Sequence, residues 1–310
     1  LDITPCPLLT KVNLFDNSLT SINTTGLTAL SWLTIGCYSS SSNNITSLDL
    51  STNIALGTLT AEYMQLTSLD LTNNPNLWQL NVAGNPLNSI NLSANMSMQY
   101  LTLDNNNLTS LTVPSPALKN LSVKNNPLAN ISFSGTIIEE LFLENNQLTS
   151  LDVSNCTALE EFDCSNNQID TLDLSSNDGS IVEFNCSNND LVSLDLRFNI
   201  PSGSYNALTG PNFVATGNAS LTCIDVNDVG WANLYWSSSI DPGASFSVEC
   251  NPILGCMDPT ACNYNSSANI DDGSCDLPNG CGDPLYMEYS STVTCSDASA
   301  CLNLIGNGCM

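Results

Sequence analysis

One spacing of apolar residues recurs along most of the chain: apolar-x-x-apolar-x-apolar-x-x-Asn-x-apolar. It reads LTKVNLFDNSL from Leu9, LWQLNVAGNPL from Leu77, MQYLTLDNNNL from Met98 and LKNLSVKNNPL from Leu118. It continues as IEELFLENNQL from Ile138, LEEFDCSNNQI from Leu159 and IVEFNCSNNDL from Ile181. The asparagine falls at Asn17, Asn43, Asn85, Asn106, Asn126, Asn146, Asn167 and Asn189. Most intervals are about 20–22 residues, a period that marks stacked repeats. Met64 replaces the asparagine in one turn, and a serine-rich insertion at 38–42 lengthens another.

Within each segment apolar and polar residues alternate, the period of a strand with one buried face. Leu101 and Leu103 are expected to point inward and Thr102 outward. A second apolar pattern follows each asparagine, as in LTSLDL from Leu66 and LVSLDL from Leu191. About ten residues remain per turn after the first strand, too few for two loops and a long helix. The return side should therefore be extended or turn-like. The predicted architecture is a β-rich solenoid with little helix. Strands ~4.8 Å apart give a stack ~45 Å long. The recurring asparagine should be buried, its amide bonded to backbone where the chain leaves the strand, because a buried polar group needs partners.

These segments resemble the leucine-rich-repeat family in its short-repeat, secreted bacterial form, over about residues 5–250. The resemblance implies a right-handed stack with a parallel sheet on one face, capped ends and recognition of proteins or glycans. The expected solenoid is 1–250, with caps at about 1–37 and 221–250. Cys6 and Cys37 are placed to staple the first. The segment Leu221–Cys250 resembles the C-terminal cap of such proteins, which implies that Trp231 and Trp236 cover the last turn and that Cys223 pairs with Cys250. Cys164 and Cys186 fall at inward positions of neighbouring turns and are expected as unpaired core thiols.

Residues 251–310 form a cysteine-rich acidic module. GCMDPTACNYNSSANIDDGSC, from Gly255, resembles a short extracellular motif and reads as a single copy. Asp258, Asn263, Asn265, Asp271 and Asp272 are hard oxygen ligands of the kind Ca²⁺ takes. The same residues also make turns in a disulfide-stapled knot, and both readings stand. The module holds Cys256, Cys262, Cys275, Cys281, Cys295, Cys301 and Cys309, an odd number. One of them is left to pair with a repeat cysteine such as Cys156, to stay free or to cross-link another chain.

Charge removes several function classes. The chain has 30 Asp+Glu, 4 Lys+Arg and no His, a net charge of −26. Nucleic-acid binding needs cations to displace phosphate counterions, so it is excluded, and anionic membrane surfaces are disfavoured. No run of 18 apolar residues exists, so membrane insertion is not expected. Fourteen cysteines point to an oxidising compartment, and hence to a secreted or cell-surface, extracellular protein. The start at Leu1 rather than Met is expected of a processed chain.

Without histidine, Ser-His-Asp and Cys-His machinery cannot form. Glu139, Glu140, Glu160, Glu161 and Glu183 sit at corresponding places in successive turns. Paired carboxylates hydrolyse glycosides, but an open sheet lacks the enclosing cleft that raises an acid's pKa. The reading is a solvated face, no enzyme and no required cofactor. Asp152, Asp173 and Asp195 form a second acidic line, where close like charges repel. Sequons for N-linked glycans occur at Asn23, Asn44, Asn91, Asn95, Asn107, Asn120, Asn130, Asn155, Asn185, Asn218 and Asn265.

Two functions follow. The first is a non-catalytic structural or adhesive protein, a self-assembling surface or filament subunit whose open solenoid ends associate head to tail. The second is a recognition module that binds an extracellular protein or glycan through the sheet. Its contacts would come from Lys11, Trp32, Gln79, Tyr100, Phe142 and the glutamates. These aromatic positions lie on scattered turns, which favours the structural role.

Overall fold

The alternating segments form ten parallel strands, one per turn, in a single sheet. They are Lys11–Asn13, Trp32–Thr34, Thr58–Thr60, Gln79–Asn81, Tyr100–Thr102, Asn120–Ser122, Glu140–Phe142, Glu161–Asp163, Glu183–Asn185 and Phe213–Val214. The computed structural model describes residues 1–37, 43–133, 137–177, 181–198, 212–250, 254–268, 270–303 and 305. The insertion at 38–42 and Cys309 lie outside them. The chain divides into two units, Leu1–Val248 and Glu249–Met310.

Each strand points its middle residue inward, so Val12, Leu33, Leu59, Leu80, Leu101, Leu121 and Leu141 stack as one buried column. Phenylalanine takes over at the far end. Phe162 and Phe184 stack at 5.3 Å, Phe184 and Phe213 at 5.7 Å, and Phe213 meets Trp236 at 4.9 Å. Trp236 follows the cap helix Val229–Tyr235, whose first turn is capped by the Asp228 carboxylate. Together with partly buried Trp231, 4.8 Å from Trp236, it closes the column as expected of a cap.

The asparagine ladder is present, and its hydrogen bonds explain it. Asn126 donates to the carbonyls of Leu103, Val123 and Lys124 and accepts from Leu108 N–H. Asn85, Asn106, Asn146, Asn167 and Asn189 repeat this pattern. Asn218 extends it one turn further, whereas Asn17, at the exposed first turn, bonds only to its own turn. Apart from the rung at Asn43, whose preceding residue lies outside the described residues, the residue before each rung lies at positive φ: Asp16, Gly84, Asn105, Asn125, Asn145, Asn166, Asn188 and Gly217. Asn, Asp and Gly tolerate that region best, which accounts for the recurrent Asn-Asn pair. In the turn where Met64 interrupts the ladder the same position is Tyr63, with φ 50°.

The return side is extended or turned, as its length requires. Ser110–Val113 pairs with Asn130–Phe133, and Thr171–Asp173, Ser193–Leu196, Cys223–Val226 and Ser245–Ser247 form a four-stranded sheet. It carries a second ladder that the repeat pattern does not reveal. Asn53, Asn74 and Asn95 are fully buried and donate to backbone carbonyls of the preceding turns.

The thiols divide sharply. Cys164 and Cys186 are buried and unpaired, and burial pushes both well above the usual thiol range. Cys223 and Cys250, the expected pair, are both disulfide-bonded. The expected Cys6–Cys37 staple is absent. Cys6 is exposed, while Cys37 is buried in the second turn with its thiol 3.3 Å from the Tyr63 carbonyl.

The C-terminal unit corrects the reading of a single motif copy, because its backbone repeats after 25 residues. Cys256 bridges Tyr264, and Cys281 bridges Tyr289. Asn265 N–H donates to Cys256 O, and Ser290 N–H to Cys281 O. Asp272 N–H donates to Gly255 O, and Asp297 N–H to Gly280 O. Each copy closes with its own disulfide, Cys256–Cys275 and Cys281–Cys301, and Cys262–Cys295 joins them. The second copy escapes notice because Leu285, Met287 and Glu288 replace the Thr260, Cys262 and Asn263 of the first.

Candidate recognition face

Parallel register sets side chains of successive turns in rows across the sheet. The row opening the strands runs Lys11, Trp32, Thr58, Gln79 and Tyr100, then Asn120, Glu140, Glu161 and Glu183. After Lys11 the first half therefore carries rings and uncharged polar groups, and the second carries carboxylates.

In the first half the rings are exposed, and the two indoles are laid down. Trp32 is 39% exposed, and its indole N–H donates to Thr34 Oγ1 at 2.9 Å, across the inward-pointing Leu33. The ring thus lies along its own strand. The Lys11 ammonium is 5.5 Å from its centroid, within cation–π range. Trp78, just ahead of its strand, packs edge to face with Tyr100 at 6.0 Å. Its indole also lies across Gly57 of the preceding turn, where a Cβ would stand 3.0 Å from Trp78 Nε1. At the far edge of the same two turns the roles reverse, and the Tyr63 ring covers Gly84 so closely that a Cβ there would collide with it. The sequence pattern missed this patch because Trp78 lies one residue outside the strand. The available signal was a glycine at 57, where other turns carry Trp78, Gln99, Lys119 or Glu139.

The second half is acidic and less open. A recess of about 310 Å³ is lined by Phe142, Glu161, Asp163, Glu183, Asn185 and Asn212, among others. Desolvation, then the neighbouring Glu140, Glu183 and Glu160, push the Glu161 carboxyl above its usual range. Two of the four cations sit where the halves meet: Lys119 pairs with Glu139 and Lys124 with Glu144, both at 2.9 Å. Lys124 also lies 4.3 Å from the Phe142 centroid.

The remaining expected site residues are spent on local structure. On the return side Asp152 and Asp173 accept from the N–H groups of Ser154 and Ser175, in turns. Asp195 is registered between Asp173 and Asp225, and Arg197 neutralises it with an Nη2–Oδ2 contact of 2.6 Å. Repulsion along this line is thus relieved by an internal cation. Of the five candidate Ca²⁺ ligands, Asp258, Asp272 and Asn265 accept from Thr260, Ser274 and Ser267 N–H groups. Asn263 spans Ser274 O and Asp276 N–H, and Asp271 lies in the short strand Ile270–Asp271. No group of three or more acidic or cysteine side chains fit to hold a metal occurs among the described residues. Two sequons are closed in the folded chain: Asn95 and Asn218 are fully buried and donate their amides to backbone. The other sequon asparagines are exposed or half-buried.

The family profile described as leucine-rich repeats, in two copies, matches residues 138–177. The chain is a leucine-rich-repeat solenoid. Among solved structures, the leucine-rich-repeat domain of APL1B is similar at 14% identity and a TM-score of 0.53, over 75% of this chain and 85% of that one. The functional domain of InlJ from Listeria monocytogenes, described as including a cysteine ladder, is 25% identical with a TM-score of 0.37. That match covers 77% of this solenoid chain, which spans only 62% of the Listeria domain. The FLRT2 repeats, in an octameric complex with Latrophilin 3 and Unc5D, give 16% identity and a TM-score of 0.46, over 81% and 85%. No curated protein sequence matches. Leucine-rich repeats are in general non-catalytic interaction scaffolds, and no helix among the described residues is long and apolar enough to cross a membrane.

Proposed function

We propose that this leucine-rich-repeat solenoid is a secreted or cell-surface recognition module, which binds an extracellular protein or glycan through the aromatic half of its sheet. The observation that carries the reading is the exposed Trp32–Trp78–Tyr100 group. Exposed aromatics grouped together mark binding surfaces, and here two glycines clear the space in which Trp78 and Tyr63 lie flat. Disulfide bonding at eight cysteines supports an oxidising, extracellular setting. Self-assembly has weaker support, because six of the seven tail cysteines pair with one another.

Site-specific photo-crosslinking tests the proposal. A photoreactive phenylalanine replaces Gln79 or Tyr100 on the sheet, or Ser154 or Ser175 on the return side, and each protein is irradiated with extracellular material of the source cells. Saturable adducts from the sheet positions alone are expected. Equal labelling from both sides, or adducts only with further copies of the chain, would refute a recognition face.

A further inference from the structure

We infer that the aromatic half of the sheet is a stacking platform for an uncharged, extended polysaccharide chain lying across the strands. The inference rests on the recognition reading above and names its ligand class. Three features point to it.

The first is ring attitude. A ring that inserts into a protein partner stands up from its surface, whereas Trp32 is tethered flat by its bond to Thr34 and Trp78 lies over bare backbone at Gly57. Flat indoles offer their faces, and a pyranose ring has an apolar C–H face to set against them. Trp32 and Trp78 belong to turns two strand spacings apart, ~10 Å, so an extended chain crossing the strands reaches both.

The second is the surrounding row. Thr34, Thr60, Asn81 and Thr102 run beside the rings. Asn81 is held by Glu62 and the Ala83 N–H, and the threonine hydroxyls, which donate and accept, suit the hydroxyl edge of a sugar. A protein hot spot is instead ringed by well-packed, water-excluding contacts.

The third is charge. The molecule carries −26, which opposes an anionic polymer. Neither row carries a carboxylate between Trp32 and Thr102, so a cationic polymer gains nothing there. The Lys11 ammonium over the Trp32 ring and the Glu62 carboxylate, which accepts from Asn81, put one charge of each sign at its margins, so the platform has no net charge and its complement is neutral. Tyr63 adds a strained element. It holds an aromatic side chain at φ 50°, where the other turns use Asn, Asp or Gly, and such outliers gather at ligand sites.

The test is isothermal titration of the whole chain with cellohexaose, chitohexaose and laminarihexaose, followed in parallel by tryptophan fluorescence. At least one hexasaccharide should bind with a Kd below about 1 mM and shift the emission. Trp32→Ala and Trp78→Ala should each weaken binding at least about tenfold. Gly57→Leu, which displaces the Trp78 indole, should do the same with both tryptophans present. Glu161→Gln, on the acidic half, should leave binding unchanged. Circular dichroism separates loss of binding from loss of fold. Absence of binding by all three sugars, or equal affinity in the folded tryptophan variants, would overturn the inference. If sheet-side photo-adducts also prove to be protein, the recognition face stands and its glycan assignment falls.

Discussion

The two halves of the sheet share one backbone and one buried column, yet they present opposite chemistry. Over Trp32–Thr102 the outward positions are mainly rings, hydroxyls and amides, with one carboxylate at Glu62 bonded to Asn81; over Glu140–Asn185 they are mainly carboxylates. The difference extends inward. The acidic half keeps an unbroken asparagine ladder, Asn146, Asn167 and Asn189. The aromatic half loses a rung at Met64, in the turn where Tyr63 takes an unfavourable conformation to cover Gly84. A uniform scaffold needs neither departure. Both fall in the turn that also holds Gly57, the seat of the Trp78 indole, though at its other edge, so the aromatic half is where regularity has been traded for a surface.

The largest expected effect tests the shared backbone. Asn126→Ala removes an amide that three carbonyls and the Leu108 N–H depend on. It should cost on the order of 1–3 kcal/mol, chiefly from backbone groups left unpaired. Asn74→Ala, on the return side, should cost less, because the Asn74 carbonyl oxygen is buried without a partner and its removal relieves that defect. Urea unfolding of the two variants gives the ordering. Equal costs would mean that the ladders contribute through packing rather than through hydrogen bonds.

Much of this framework was legible in the repeat. The alternation around Leu101 and Leu103 fixed the inward column, and the spacing of the asparagines fixed the stack, because strand period and ladder bonding leave few other solutions. What stayed hidden depends on contacts between turns. Trp78 lies outside the strand pattern, and only the neighbouring backbone shows that Gly57 makes room for it. The second tail copy was concealed for a related reason. Its hydrogen bonds are made by backbone groups, so Leu285 and Met287 could replace the motif's side chains without disturbing them.

The broken rung gives an intermediate effect. A non-glycine residue in the left-handed region costs roughly 1–2 kcal/mol, less for Asn. Tyr63→Asn should therefore stabilise the fold by about 0.5–1 kcal/mol, net of the ring's contact with Gly84, while weakening hexasaccharide binding. The pairing of a gain in stability with a loss of binding is what a strained binding residue requires. A destabilised variant would show instead that the ring's seat on Gly84 outweighs the strain, and that Tyr63 is a packing residue.

The smallest effect belongs to the acidic half and is visible only against pH. Glu161 has its pKa raised by desolvation and then by Glu140, Glu183 and Glu160. The folded chain thus holds this proton more tightly than the unfolded chain. Stability from this group rises as pH falls from neutrality through the raised folded value, and levels off below the unfolded value, ~4.3. Asp49, Asp70 and Asp152 act in the opposite sense. Hydrogen bonds from Ser51, Thr72 and Ser154 lower their pKa values, so their contribution is lost as pH falls from the unfolded value, ~3.9, through the folded ones. The melting temperature should therefore rise on mild acidification and drop on strong acidification. Glu161→Gln should raise the melting temperature at pH ~7 and flatten only the first limb, leaving the acid limb intact. The hexasaccharide affinity of the aromatic half should be indifferent to Glu161→Gln, because the carboxylate that touches the platform is Glu62, which accepts from Asn81 and whose pKa is raised by its own burial. If Glu161→Gln changes that affinity, the two halves are coupled and the division of the sheet into independent surfaces fails.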